Sequence, residues 1–288
     1  MRAERTPETL IVVDNASTDG TPDFVRHEFP DVQLIRLPAN TGGAGGFKAG
    51  ITAALQSGHG FIWLMDDDHT AEPGTLARLL ETAQRTPCDA FGPVLLSPDN
   101  SDMLTTSYFA RGHVCRSYSE LTSALGSDTL IRQFPTPFNG VLYRSDALRT
   151  LGLPDARLFI RGDDLDYWLR MQEEGLDAVV VSTARMHHPS MFHHDFVILR
   201  AAGFILTAHY TGENLKDYCL FRNRAYCFKK YRSYRILGLD VLRYILFFLI
   251  TRRADFRGLF FWARAYVHGL IGRFGYERRF LAIQPLPG

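Results

Sequence analysis

Short apolar runs alternate with stretches of helical spacing through the first third of the chain, and each run stops at a cluster of turn-forming polar residues. The first run covers residues 8–13 and ends in Asp14-Asn15-Ala-Ser17-Thr-Asp19-Gly20. Runs at 32–37 and 61–65 follow. Buried strands are short, β-branched or aromatic, and bounded by turn signals, so each run predicts a strand. Asn, Asp, Ser and Gly gather at the first stop because they tolerate turn dihedrals and bond the local backbone. Thr21-Pro22 then has the pattern of an N-cap followed by Pro at the first helical position. The small-residue stretch at 40–50 opens a helix expected to run to about Gln56, and residues 75–84 form an amphipathic helix. Strand alternating with helix implies an α/β fold on a largely parallel sheet with right-handed crossovers.

Further along, residues 91–96 read as a strand, whereas 97–133 mix polarity and turn signals and receive no assignment. Pro135-Thr-Pro137-Phe138-Asn139-Gly140 is a turn into a strand reaching Arg144, and a helix over 145–150 is stopped by Gly152. A short apolar run at 158–160 leads into Arg161-Gly-Asp163-Asp164-Leu-Asp166, after which Leu165, Trp168, Leu169 and Gln172 fall at helical spacing. A strand at 179–182 precedes Met186-His187-His188-Pro189. From about residue 205 the character changes. Residues 214–232 are aromatic, basic and helical in pattern. Residues 236–250 are almost wholly apolar, broken only by Asp240 and Arg243, and fall short of the ~20 residues needed to span a bilayer. Residues 256–274 form another aromatic helix, carrying Arg257, Arg264 and Arg273.

Charge sharpens this division. The 288 residues are 46% apolar and 22% charged, a globular composition with length enough for a full core. The net charge of +1 conceals fifteen Lys/Arg against five Asp/Glu in residues 201–288, a local +10 on an otherwise acidic chain. Basic residues beside large apolar faces suit an interfacial membrane helix. A helical layer packed on the sheet, or a contact in a homo-oligomer, is the alternative for 214–274. Aromatic and basic residues also interleave in RNA-binding proteins, but no accompanying motif occurs, so no nucleic-acid partner is expected. Four cysteines without CxxC spacing fit a reducing compartment and exclude a structural zinc site. The opening residues lack the signal-peptide pattern.

Candidate chemistry concentrates where apolar runs meet carboxylates. Asp66, Asp67 and Asp68 cannot lie inside the strand at 61–65, so they belong at its carboxyl end, where open α/β sheets bind ligands. On an extended chain Asp66 and Asp68 point to one side, within reach of one divalent cation; carboxylate oxygens suit Mg²⁺ or Mn²⁺ that also holds phosphates. A solvated acidic turn ahead of the helix near Pro73 is the plainer explanation. His187 and His188, adjacent and following a strand, are candidates to join that metal. Asp163 and Asp164 are accounted for either by the helix dipole or as a general base. The glycine stretch at 42–46 comes after the second strand, not the first, which argues against a dinucleotide fingerprint. It is a flexible turn or a loop for a nucleotide sugar.

Taken in order and at this spacing, these pieces resemble the inverting glycosyltransferases of family 2, with the GT-A fold. The parts are Val-Val-Asp14-Asn15-Ala-Ser17-Thr-Asp19-Gly, Asn40-Thr-Gly42-Gly, Asp66-Asp67-Asp68, Phe138-Asn139-Gly140, and Gly-Asp163-Asp164-Leu-Asp166-Tyr with His188. Asn40-Thr-Gly-Gly-Ala-Gly-Gly-Phe joined to Met-Asp-Asp-Asp looks most like the galactofuranosyltransferases of that family. The resemblance implies a Rossmann-like GT-A domain over 1–200 and a helical extension over 201–288. It implies a UDP-galactofuranose donor, a glycan or lipid-linked acceptor, Mn²⁺ or Mg²⁺, and a place at the inner face of the cell membrane in polysaccharide or cell-wall synthesis. By residue, it implies that Asp14, Asn15, Asn40, Gly42, Asp66 and Asp67 serve the donor nucleotide. Asp66, Asp68 and His188 would hold the metal, and Phe138, Asn139 and Gly140 would lie on the acceptor side. Asp164 would be the base, supported by Asp163. The resemblance also implies a central strand and a helix ahead of the strand ending in Asp14, whereas here only residues 1–7 precede Glu8 and Thr9. A late reading-frame start is the expected reason, with a gap-filling segment or partner, or a degenerate protein, as the others. A rhamnose or hexopyranose donor, and a silent scaffold, remain the competing readings.

Overall fold

The computed structural model describes residues 6–189, 194–201 and 204–275. Strand β1 (Ile11–Asp14) pairs in parallel with β2 (Gln33–Arg36) across helix α1 (Thr21–Glu28). The α1 cap falls one residue earlier than Thr21, at Gly20, whose φ of 91° lies in the left-handed region that glycine adopts freely. Helix α2 (Gly42–Gln56) follows, so the glycine stretch is the first turns of a helix.

The main sheet begins with β3 (Phe61–Leu64). Its neighbours in order are β9 (Val141–Arg144), β5 (Ala90–Leu96), β10 (Ala178–His187) and the two-residue β4 (Thr70–Ala71). Strand β6 (Met103–Ala110) joins the end of β5 and pairs with β7 (His113–Ser117), and β8 (Leu130–Ile131) pairs with β10. The architecture is the expected α/β sheet flanked by helices, but the sheet is mixed and not mostly parallel. Within it β5–β10 is the parallel pair, while β9 runs antiparallel to both β3 and β5. The reason is local. After α3 (Thr75–Arg85) and β5 the chain passes through the β6–β7 hairpin and re-enters the sheet at β9 from a turn, antiparallel to β5. The β6–β7 hairpin turns on Arg111 and Gly112, both at positive φ, which matches the strand twist. That hairpin and α4 (Tyr118–Leu125), held by a Ser117/Glu120 capping box, occupy much of the stretch the sequence left unassigned.

Strand β5 is buried along its whole length. Phe91, Leu142, Val179 and Val181 pack beneath Leu76, Leu79 and Ala83 of α3, fixing the sheet that carries the site residues. Residues 1–5 lie outside the described residues. Among the described residues β1 bonds only β2 and β3 bonds only β9, so no strand joins β1 to β3.

The chain divides into two compact units. One comprises Met1–Thr41, Gly45–Pro154 and Arg170–Phe192. The other comprises Gly42–Ala44, Asp155–Leu169 and His193–Gly288. The second contains the hairpin β11 (Asp195–Ala201) and β12 (Phe204–His209), then α7 (Asn214–Lys230), α8 (Tyr234–Leu246), a π turn (Phe247–Thr251) and α9 (Phe256–Leu270). Its core is aromatic: Tyr218, Phe221, Tyr244, Phe247, Trp262 and Tyr266 are buried together. Helices α7 and α9 approach so closely that a Cβ on Gly269 would stand 2.0 Å from the Arg222 carbonyl oxygen. Cys88 and Cys115 in the first unit, and Cys219 and Cys227 in the second, are all buried and unpaired. No helix among the described residues is long and apolar enough to cross a membrane.

Asp240, the lone acid of the apolar 236–250 run, is buried and forked by Arg224 of α7, whose Nε lies 3.1 Å away and whose Nη2 lies closer still; Arg243 Nη1 and the Tyr266 hydroxyl are each 3.4 Å from it. Removing one member of such a pair leaves an uncompensated buried charge, at a cost of about 3–5 kcal/mol. Asp240→Ala should therefore lower unfolding free energy by that order in urea titration. The paired change Arg224→Met with Asp240→Leu should recover most of it.

Candidate functional site

Two acidic clusters stand out, one in each unit. The first forms where β3 ends. The strand stops at Leu64, and the chain turns at Asp67 and Asp68 before β4 begins. Because this segment is a turn and not extended chain, strand alternation does not hold Asp66 and Asp68 together. Both are exposed, as is Asp67.

Asp68 instead meets two histidines. Strand β4 pairs antiparallel with the end of β10, Thr70 against His187 and Ala71 against Met186. The same register carried one step outward sets His69 against His188. Their ring centroids are 4.4 Å apart, and Asp68 reaches both: Oδ1 is 3.0 Å from His69 Nδ1, and Oδ2 is 3.5 Å from His188 Nε2. One ligand atom from each of the three residues lies within 4.8 Å of the others. Neither His69 nitrogen makes a well-aligned hydrogen bond, although the side chain is fully buried. Burial, and then the neighbouring His188, lower the His69 pKa below its ordinary value against the opposing pull of Asp68. Both effects favour the neutral ring, the form that can offer a nitrogen lone pair to a cation.

His69 is the residue the sequence reading missed, and Asp66 contributes no ligand atom to this cluster. The missed signal is the Asp-His step at 68–69, legible only with the β4–β10 register. His187 faces the other way along β10. Its Nε2 is 3.2 Å from Glu72 Oε1 and its Nδ1 is 3.4 Å from the Ser97 carbonyl.

The other predicted residues of the first unit are held in different ways. Asp14 is buried at the end of β1; its Oδ1 accepts from the Ser17 amide at 3.1 Å, and Oδ2, 3.4 Å from Arg36 Nε, has no hydrogen bond. Asn15 Oδ1 accepts from the Thr41 amide and hydroxyl at 2.8 and 3.1 Å, tying β1 to the entry of α2, beside exposed Asn40. Phe138 is buried and stacks on Phe47, with centroids 4.2 Å apart. Asn139 is half-buried in the turn before β9, its amide donating to the Thr136 carbonyl at 3.1 Å. The Gly140 carbonyl accepts from Trp63 Nε1 at 2.7 Å, and a Cβ there would collide with Met186 Sδ at 2.1 Å. Phe138 and Gly140 thus serve packing beneath the site.

Beyond helix α5 (Ser145–Leu151), the second cluster opens α6 (Asp163–Glu173). Asp164 Oδ1 accepts from the amides of Gly162 and Leu165 at 3.1 and 2.8 Å, fixing the carboxylate on the helix's first turn. Asp166 is buried and spent on structure, 2.7 Å from Lys230 Nζ and 2.9 Å from the Tyr231 hydroxyl. The approach to the pair is strained: Phe159 and Arg161 both adopt positive φ, 68° and 59°, costly for residues with side chains.

Helix α7 holds that strained segment in place. The fully buried Asn223 donates from Nδ2 to the carbonyls of Leu158, Ile160 and Arg161, at 2.9, 3.2 and 2.6 Å. Arg222, equally buried, adds a bond from Nη2 to Leu158 at 2.9 Å and steadies the Asn223 amide through Nε. From the other side the first residues of α2 close in. The Ala44 amide donates to the Phe159 carbonyl at 3.1 Å, and a Cβ on Gly42 would stand 2.1 Å from that oxygen. The Gly42 requirement is therefore a close approach as well as a positive φ of 70°. Sequence reasoning missed Arg222 and Asn223; the signal was a polar Arg-Asn-Arg interrupting an aromatic helix.

Comparison with known proteins gives a consistent result. A family model described as glycosyltransferase-like family 2 matches residues 2–227. Galactofuranosyltransferase GlfT1 of Mycobacterium tuberculosis is 34% identical over 275 residues, covering 94% of this chain and 88% of that protein. The GlfT1 of Mycolicibacterium smegmatis is 32% identical, over 96% of this chain and 89% of its own length. The crystal structure of S. aureus TarS 1-349 in complex with UDP-GlcNAc superimposes with a TM-score of 0.51 at 14% identity, over 91% of this chain and 72% of that one.

The clamp makes its own prediction. Asn223→Ala removes the donor for three carbonyls and should destabilise the segment by about 1–3 kcal/mol. Amide exchange across residues 158–162 should then accelerate by roughly tenfold or more, with exchange in β5 unchanged.

Proposed function

The chain belongs to glycosyltransferase family 2 and is a glycosyltransferase; from that premise we propose that it transfers galactofuranose from UDP-galactofuranose to a glycan or lipid-linked glycan, inverting the anomeric carbon. The relatives named galactofuranosyltransferases, matched along nearly the whole chain, support the donor. The observation that carries the reading is the Asp68–His69–His188 cluster at the end of β3.

A buried imidazole with unsatisfied nitrogens beside a second imidazole and a carboxylate fits a divalent cation. Two nitrogen donors favour Mn²⁺ over Mg²⁺, which prefers oxygen throughout. Asp68, His69 and His188 would hold it, with Asp66 and Asp67 turned to the ribose and donor. When bound, the cation supplies positive charge that offsets charge gathering on the departing diphosphate. Asp14, through its unbonded Oδ2, and Asn15 serve the nucleoside, with Asn40 and Gly42 at the adjoining helix entry. Asn139, half-buried in the turn before β9, belongs on the acceptor side, with Phe138 and Gly140 packed behind it.

Asp164 acts as the general base. Its carboxylate takes the proton of the acceptor hydroxyl as that oxygen bonds to the anomeric carbon from the face opposite the leaving UDP. One bond forms, one breaks, and configuration inverts. Asp163, next to it, keeps the local field negative and so supports proton uptake. In this reading residues 1–200 form the GT-A domain and 201–288 a helical extension that includes the clamp on the base. The reaction belongs at the cytoplasmic face of the membrane, in cell-wall or polysaccharide assembly.

Two experiments test the assignment. Asp164→Asn should lower kcat by about 10²–10⁴ while UDP affinity, read by calorimetry, stays near that of the parent; turnover at the parental rate sinks the base assignment. His69→Ala and His188→Ala should each weaken Mn²⁺ binding in the presence of UDP by at least about tenfold, whereas Asp66→Ala should weaken it less. A donor panel run on the parent separates galactofuranose from rhamnose and hexopyranose. Absence of UDP binding with Mn²⁺ would favour the silent scaffold.

A further inference from the structure

We propose that the corner joining α8 to α9 docks on the surface of an anionic lipid bilayer. The aromatic, basic segment 214–274 does not act as one surface. Helix α7 is consumed by packing, with Tyr218, Phe221, Arg222 and Phe228 all buried. The corner at 249–260 is the reverse. Ile250, Phe256 and Phe260 are 61, 68 and 73% exposed, and Leu249 stands beside them. So many large apolar groups turned outward within twelve residues form a patch that calls for a covering.

The local backbone gathers them at one tip. Arg253 and Ala254 adopt left-handed φ of 53° and 62°, reversing the chain. The Ala254 and Asp255 amides then donate back to the Leu249 and Phe248 carbonyls, each at 3.0 Å. Along α8, Ile236, Leu239 and Leu242 are also exposed, at three-residue spacing, while Asp240 and Tyr244 of the same helix are buried.

Charge decides what covers it. Residues 232–260 hold six arginines and two acids. Asp240 is buried against Arg224, and Asp255 is engaged in capping α9 through the Gly258 amide at 2.9 Å. Arg253 and Arg257 are exposed at the tip, and Arg252 sits 3.7 Å from Asp255 and over the Tyr210 ring. A second copy of this chain would bring the same arginines face to face, a repulsion. A bilayer satisfies both chemistries at one depth: anionic headgroups meet the guanidinium groups while aromatic and aliphatic ends enter the acyl boundary. Among the described residues no helix is long and apolar enough to cross a membrane, and the proposed contact is one made at the bilayer surface.

Vesicle flotation of the full chain without donor or metal tests this apart from the transfer reaction. With phosphatidylcholine–phosphatidylglycerol vesicles the protein should float, and raising the salt should release it. Phe256→Glu with Phe260→Glu, and separately Arg253→Glu with Arg257→Glu, should each reduce the bound fraction at least tenfold while circular dichroism and Tm hold. Equal flotation on pure phosphatidylcholine, indifference to both double variants, or no flotation overturns the proposal. So does a dimer in light scattering that Phe256→Glu abolishes, which would assign the patch to a second copy.

Discussion

The short antiparallel pairing between β4 and β10 is the constraint from which the first cluster follows. Two residue pairs are enough to set it, and they leave no freedom in what comes next. With Thr70 against His187 and Ala71 against Met186, the following pair on the open side has to be His69 and His188. The two imidazoles are thus brought together by backbone geometry before any cation is considered. Register in a sheet is specified by side-chain alternation, and here the burial of Met186 beneath Gly140 locks the face on which His188 emerges. A one-residue slip would exchange His188 for His187, which is instead engaged with Glu72 and Ser97.

The second cluster is held by a different device. Backbone strain at Phe159 and Arg161 persists because Asn223, Arg222 and the start of α2 together specify the carbonyls of that segment. Strain of this kind survives only where the surroundings over-determine it. The extension after residue 201 is therefore part of what shapes the acidic turn, and its aromatic core is the foundation on which the clamp rests. The buried Arg224–Asp240 pair belongs to the same foundation, since it fixes α8 to the helix that carries Asn223.

Much of this was legible in residues alone, in specific ways. Strand endings at Asp14 and ahead of Asp66, the helix opened by Gly42, and the acidic start of α6 each announced themselves because hydrophobic periodicity breaks sharply against carboxylates or glycine. The partnership of His69 with His188 was hidden because it depends on strand pairing between positions more than a hundred residues apart. The mixed sheet escaped for a related reason: β9 inserts by a turn, and turns such as Arg111-Gly112 are weak signals next to helix periodicity. Asp66 was paired with Asp68 on the assumption of extended chain, which the turn at 67–68 removes. The basic, aromatic character of 214–274 was visible as composition, but only exposure separates the packed α7 from the outward corner at 249–260.

The four buried cysteines give the molecule an internal reporter. Burial raises the pKa of every one of their thiols, that of Cys219 to about 11, so the reactive thiolate is scarce in the native state. Alkylating reagents and peroxides accordingly find little to attack until the surrounding helices part. Cys88 and Cys115 lie in one unit and Cys219 and Cys227 in the other. The order in which the four become modified during slow denaturation is therefore a record of which half of the protein breathes first.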